Sequence, residues 1–245
     1  MLTPRQTIRT IVAEQPQAAA ILQRFEIDLC AHADQDLTAA CAELQLSVEQ
    51  VLEKLAQSEA ATRDSTQSVP ASFPTEQLIR HIVRVHHQSI RQDLPRLATM
   101  AQQVAGQHGP QAPEMIHLAR VIGNLHGKLL AHIEKEEQVL FPFITRLDQE
   151  PIALHASDPG CFKSVTQPIT LLLREHENSC AGTAQLRQLA YGYEAPTGAC
   201  PTHVALYQGL RAFEMGLAEH LHLENEVLFP RAIALEKTAQ AGSAS

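Results

Sequence analysis

Residues 132–142, His-Ile-Glu-Lys-Glu-Glu-Gln-Val-Leu-Phe-Pro, return almost letter for letter at 220–230 as His-Leu-His-Leu-Glu-Asn-Glu-Val-Leu-Phe-Pro. Both copies read H-x-x-x-E-x-x-x-L-F-P. On a helix, residues four apart share a face with Cβ atoms about 6 Å apart, so His132 with Glu136, and His220 with Glu224, each offer an imidazole nitrogen and a carboxylate to one point. That is a metal-ligand spacing. The echo extends further, because His87 lies 45 residues before His132 and His176 lies 44 before His220, a period of 88 to 89 residues. Two helix pairs, each carrying one lone His and one His-x-x-x-Glu, would close into a pseudo-symmetric bundle with all six side chains inside.

A lone His on an apolar seam is more often a hydrogen-bonded core residue than a ligand. The carboxylates weigh differently, because Glu136 and Glu224 stand where Leu or Val belongs, and a buried carboxylate costs several kcal/mol unless paired or bound to a cation. The seams hold no Lys or Arg partner, so the compensating charge should be a metal. Imidazole and carboxylate without thiolate favour iron or manganese over structural zinc, and two carboxylates at a bundle centre suit a bridged pair of ions. Four imidazoles, two bridging Glu and an oxo or hydroxo bridge leave positions open on two non-haem iron ions. Such a centre could bind dioxygen, nitric oxide or peroxide, or release its iron.

The elements that must position these residues are helical. The 245-residue chain is rich in Ala, Leu, Gln and Glu and shows no strand-like alternation, which predicts an all-α fold: an up-down four-helix bundle preceded by a small helical N-terminal domain. A net charge of −8 argues against nucleic-acid binding. No 18-residue apolar run and no signal-like N-terminus is found, so a cytoplasmic protein without membrane contact is expected. The odd, scattered cysteines at 30, 41, 161, 180 and 200 read as reduced thiols.

In chain order, residues 1–58 form the N-terminal domain, with helix starts at Thr3-Pro4, about Gln17, Asp36 and Ser47, and with Cys30 in a turn. A domain this small suggests docking or homodimerisation. Residues 59–74 read as a linker, 75–237 as the bundle, 148–164 as a loop within it, and 238–245 as a disordered tail. The first seam runs Val83, His87, Ile90, Leu94, Leu97, with His86 outward. The second is Leu125, Leu129, His132, Glu136, Val139, Phe143. The third is Ile169, Leu173, His176, Cys180, and the fourth Phe213, Leu217, His220, Glu224, Val227. Pro142 and Pro230 should kink their helices. Histidines 81, 108, 117, 155, 203 and 222 read as surface residues.

The bundle resembles a hemerythrin-like domain, and the whole chain resembles the RIC (repair of iron centres) proteins, the YtfE/ScdA family of iron-sulfur cluster repair di-iron proteins. His87 with Arg91, Leu94 and Pro95, His132-x-x-x-Glu136 with LFP, Glu175-His176-Glu177, and His220-x-x-x-Glu224 with LFPR carry the resemblance. It implies a di-iron centre ligated by His87, His132, His176 and His220, bridged by Glu136 and Glu224, with Glu175 beside it. It also implies repair of iron-sulfur proteins damaged by nitric oxide or oxidants, by iron delivery or nitric oxide clearance. The alternatives are a non-catalytic sensor or carrier of dioxygen or nitric oxide, and a di-iron nitric oxide or peroxide reductase. Two departures from the family stand out. Cys30 is followed by Ala31 where the family has a second cysteine, leaving a nucleophile, a single iron ligand with His32, or a buried small hydrophobe. Lys128 replaces a glutamate near the metals.

Overall fold

The computed structural model describes residues 2–15, 18–27, 32, 34–65, 73–149 and 164–243. Cys30, residues 66–72 of the linker and the loop around His155 and Cys161 lie outside the described residues. Four short helices come first: α1 (Ile8–Glu14), α2 (Ala18–Arg24), α3 (Leu37–Glu43) and α4 (Val48–Ser65). Four long rods follow. The first joins α5 (Thr75–His81) to α6 (Gln88–His108), and the second joins α7 (Pro113–Lys135) to α8 (Phe141–Gln149). The third is α9 (Thr166–Leu189), and the fourth joins α10 (Pro201–His222) to α11 (Phe229–Ser243). Among the described residues no strand forms, only an isolated Thr7–Asp36 bridge. No helix there is long and apolar enough to cross a membrane.

The chain divides into two compact units. One comprises Met1–Ser68, Asp93–Ile122 and Leu186–Ala212, and the other Val69–Gln92, Gly123–Gln185 and Phe213–Ser245. In the first, α1 starts at Ile8 rather than at Thr3-Pro4, because the Thr7 hydroxyl caps the Thr10 amide at 3.2 Å and the preceding residues pair with 35–37 (Leu37 N to Gln6 O, 3.0 Å). Asp36 caps α3 through the Ala39 amide at 2.7 Å, and Ser47 Oγ accepts from the Gln50 amide at 3.3 Å. Helix α4 runs to Ser65, into the segment read as linker from 59, because Glu59, Ala60, Ala61 and Arg63 are helix formers with no Pro or Gly to stop them.

His203 belongs to this unit and corrects a surface reading: it is buried, its ring edge-on to Tyr207 at 4.5 Å. Burial, reinforced by His108 and opposed by Glu114, lowers its pKa. An unfolded chain accepts that proton near the ordinary 6.5, whereas the folded chain resists it to a lower pH. Between the two values the unfolded state binds more protons, so stability falls as pH falls. Thermal scans of metal-free protein should therefore show the midpoint dropping below about pH 6.5, and His203→Phe, which keeps a ring against Tyr207, should flatten that drop. An identical pH profile in the variant would clear His203 of the effect.

The second unit has an aliphatic and aromatic core of Leu78, Ile82, Leu140, Phe141, Ile144, Leu172, Leu228 and Phe229, among others. The tail expected to be disordered from 238 is helical to Ser243. Ala239 is buried, and Thr238 bonds back to Ala234 O at 3.0 Å. Just before it, Glu236 caps α9 by accepting from the Val165 amide at 2.9 Å and from Ser164 Oγ at 2.8 Å.

Three rods are interrupted by π-helical turns, Ile82–His87, Glu136–Leu140 and Leu223–Leu228. The last two have a cause in the sequence. Pro142 and Pro230 supply no amide and crowd the carbonyl four residues back, so the turn before each widens. The Phe141 amide reaches five residues back to Glu136 O, and Phe229 likewise to Glu224 O. The disturbance expected at both prolines is thus a wide turn beginning at, or one residue before, a glutamate of the repeated motif.

Candidate metal centre

All six residues of the repeated pattern lie in the second unit and are buried: His87, His220, Glu136 and Glu224 at 0% exposure, His132 and His176 at 2%. They converge as two groups, His87, His220, Glu136 and Glu224, and His132, His176, Glu136 and Glu224, with donor atoms in each within 4.8 Å of one another. The glutamates belong to both. In the first group Nε2 of His87 lies 3.4 Å from Glu136 Oε2 and 3.7 Å from Glu224 Oε1, and Nε2 of His220 lies 2.9 Å from Glu224 Oε1. In the second, Nε2 of His132 lies 3.3 Å from Glu136 Oε1, and Nε2 of His176 lies 3.3 Å from Glu224 Oε2 and 4.0 Å from Glu136 Oε1. Each carboxylate therefore directs one oxygen to each group.

The residues fit a pair of cations better than they fit one another. All four carboxylate oxygens are buried without a hydrogen-bond partner, although imidazole nitrogens surround them. Nitrogens face nitrogens as well, His87 and His220 at 3.2 Å and His132 and His176 at 3.0 Å, so at most one of each pair can donate. Four nitrogens and four oxygens around two points, with no sulfur, suit iron. Without a metal the chain compensates with protons. Burial presses the imidazolium of His87 down, but Glu136 and Glu224 outweigh it and raise its pKa to about 9. His132 is raised to about 9 against the same burial by Glu136, Glu175 and Glu224. Burial works against ionised Glu224, yet His220, His176 and His87 hold its pKa well below the ordinary carboxylate value.

Behind the centre, the Nδ1 atoms are held by a further set of acceptors. His87 Nδ1 donates to Glu137 Oε1 at 2.7 Å, and Arg91 grips the same carboxylate at 2.7 and 3.1 Å. His176 Nδ1 donates to Asn225 Oδ1 at 2.7 Å. Glu137 and Asn225 each follow a bridging glutamate and each orient the lone His of their own half. The sequence carried that signal, a polar residue directly after the motif Glu in both copies. His132 Nδ1 donates to Glu175 Oε2 at 2.8 Å, while Lys135 Nζ holds Oε1 at 2.5 Å, so Glu175 is an orienting acceptor beside the centre. Glu137→Ala should lower iron affinity by about 10- to 100-fold without changing the number of ions bound, measured by competition with a chelator. Unchanged affinity would mean that the contact does not tune His87.

Three sequence expectations need correction. His86 is buried, not outward, because the Ile82–His87 turn is π-helical and a count at 3.6 residues per turn fails across it. Leu173 is 36% exposed and Cys180 is exposed, because the buried α9 seam runs Ile169, Leu172, His176, Ser179, in steps of three, four and three residues. Lys128 is exposed.

Comparison with known proteins places the chain in a cation-binding family. Residues 78–232 match the Hemerythrin HHE cation binding domain, and residues 4–59 match a domain of unknown function (DUF542). The chain is 30% identical to an iron-sulfur cluster repair protein YtfE of Pectobacterium carotovorum, over 93% of this chain and 96% of that protein. To the protein of the same name from Yersinia pseudotuberculosis it is 31% identical over the same shares. To that from Citrobacter koseri it is 30% identical, over 90% of this chain and 93% of the relative.

Proposed function

Because the chain belongs to the hemerythrin HHE cation binding domain family, and within it to the YtfE iron-sulfur cluster repair proteins, we propose that it holds two non-haem iron ions and repairs iron-sulfur clusters damaged by nitric oxide or oxidants. His87 and His220 would hold one ion and His132 and His176 the other, with Glu136, Glu224 and an oxo or hydroxo group bridging them. The observation that carries this reading is the division of each buried carboxylate between the two groups. When bound, the iron supplies ligand exchange and one-electron redox chemistry.

The chain's own contribution is to position and to neutralise. Glu137 and Arg91 fix the His87 ring, Asn225 fixes His176, and Glu175 with Lys135 fixes His132, each leaving Nε2 aimed at the centre. Phe141 stacks on His87 at 5.6 Å and Phe229 on His176 at 5.7 Å, which excludes water from that side of both rings.

Damaged iron-sulfur proteins in the cytoplasm are the proposed partners, with nitric oxide or dioxygen as small ligands and pairing through the N-terminal domain. The test is transfer: protein loaded with isotopically labelled iron is mixed with a nitric oxide-damaged ferredoxin. Label appearing in a rebuilt cluster is the expected result. Iron that stays in place while the spectrum responds reversibly to dioxygen or nitric oxide would favour a carrier or sensor, and repeated turnover of nitric oxide to nitrous oxide would favour a reductase.

A further inference from the structure

The two halves of the centre are pseudo-symmetric but not identical: Asn225 stands where the other half has Glu137, and the acceptor behind His132 has no counterpart behind His220. In one half, Nδ1 of His132 donates to Glu175, the residue immediately before His176. The equivalent partner for His220 is the residue immediately before His87, and that residue is His86. His86 does stand against His220, its ring stacked on it at 5.6 Å with an interplanar angle of 12°, but no hydrogen bond joins them. Nδ1 of His220 and Nε2 of His86 are both buried without a hydrogen-bond partner, and His86 is 5% exposed. Beyond His86 lies half-exposed His81, edge-on at 5.5 Å. The π turn brings the two side by side, because residues five apart align where the turn is widened.

A metal-bound imidazole without an acceptor on its other nitrogen is less well oriented and less basic, and its metal is held less tightly. We infer that the two ions are held unequally, that the one on His87 and His220 is the labile one, and that His86 and then His81 are its way out to solvent. The inference rests on the di-iron reading above and adds which ion leaves and by which side. His86 would offer an imidazole nitrogen to an ion let go by His220, a ligand exchange that needs no change of oxidation state.

The test is release of ferrous iron from fully loaded, full-length protein to excess chelator. Wild type should lose iron in two phases of equal amplitude. His86→Glu, which places a carboxylate where the other half has Glu175, should slow the fast phase on the order of tenfold, toward the slow one. Glu175→Ala should instead quicken the slow phase. A single phase in wild type, or a fast phase untouched by His86→Glu, overturns the inference. If that variant does not fold, a Glu175→Ala protein that keeps a slow phase does the same. A protein that takes up no iron would overturn the di-iron reading and this inference with it, whereas one that releases iron in two phases but never to an iron-sulfur protein would count against the repair reading and not against this asymmetry.

Discussion

Replacing Glu136 and Glu224 together by Leu is expected to abolish iron binding and yet leave the metal-free chain more stable than metal-free wild type. Both carboxylates are fully buried, and without iron they are balanced only by protons on neighbouring imidazoles. Exchanging such a buried ionic cluster for apolar side chains of similar volume commonly stabilises a protein by about 1–4 kcal/mol. His87 and His132 can then shed the extra protons that the carboxylates favoured, and His220 can donate from Nε2 to His87 Nε2 across the 3.2 Å already present. A rise in the thermal midpoint of about 2–4 °C per kcal/mol is therefore expected, with iron content reduced to background. Either single replacement should lose iron without that gain, because one buried carboxylate remains. A double variant that still binds two irons, or that is less stable than the metal-free wild type, would contradict the reading of these residues as sites kept for a cation.

Stripping iron from the wild type is the second large effect. A ligand that binds only the folded state stabilises it by about 4 kcal/mol when its free concentration is a thousandfold above Kd. For a chain of this size that corresponds to a midpoint higher by on the order of 10 °C. Chelation should lower the midpoint by that amount while the helical signal persists. The fold persists because the core of Leu140, Phe141, Ile144, Leu228 and Phe229 needs no metal. Collapse of the helical signal on chelation would show instead that the metal nucleates the bundle.

What could be read from the sequence, and what could not, follows from backbone periodicity. The pair His-x-x-x-Glu was legible because it occurs twice in register and because a glutamate on an apolar seam demands compensation. The helix pattern was legible for the same reason. His86 was misread because the sequence gives no sign that Ile82–His87 is a π turn: no proline follows within hydrogen-bonding range, whereas Pro142 and Pro230 announce the other two. Leu173 and Cys180 were misplaced by running the seam in steps of four, three and four from Ile169, where the buried positions Leu172, His176 and Ser179 step by three, four and three. Asn225 and Glu137 could have been found by comparing the residue after each motif glutamate. The pairing of His132 with Glu175 spans 43 residues and depends on which rods are neighbours, which local pattern does not encode.

The most direct measurement is anomalous diffraction at the iron edge from crystals of anaerobically loaded protein. Two peaks are predicted, both between Glu136 and Glu224, one beside His87 and His220 and the other beside His132 and His176. A single peak, or iron bound elsewhere with these carboxylates left to protons alone, would contradict the account.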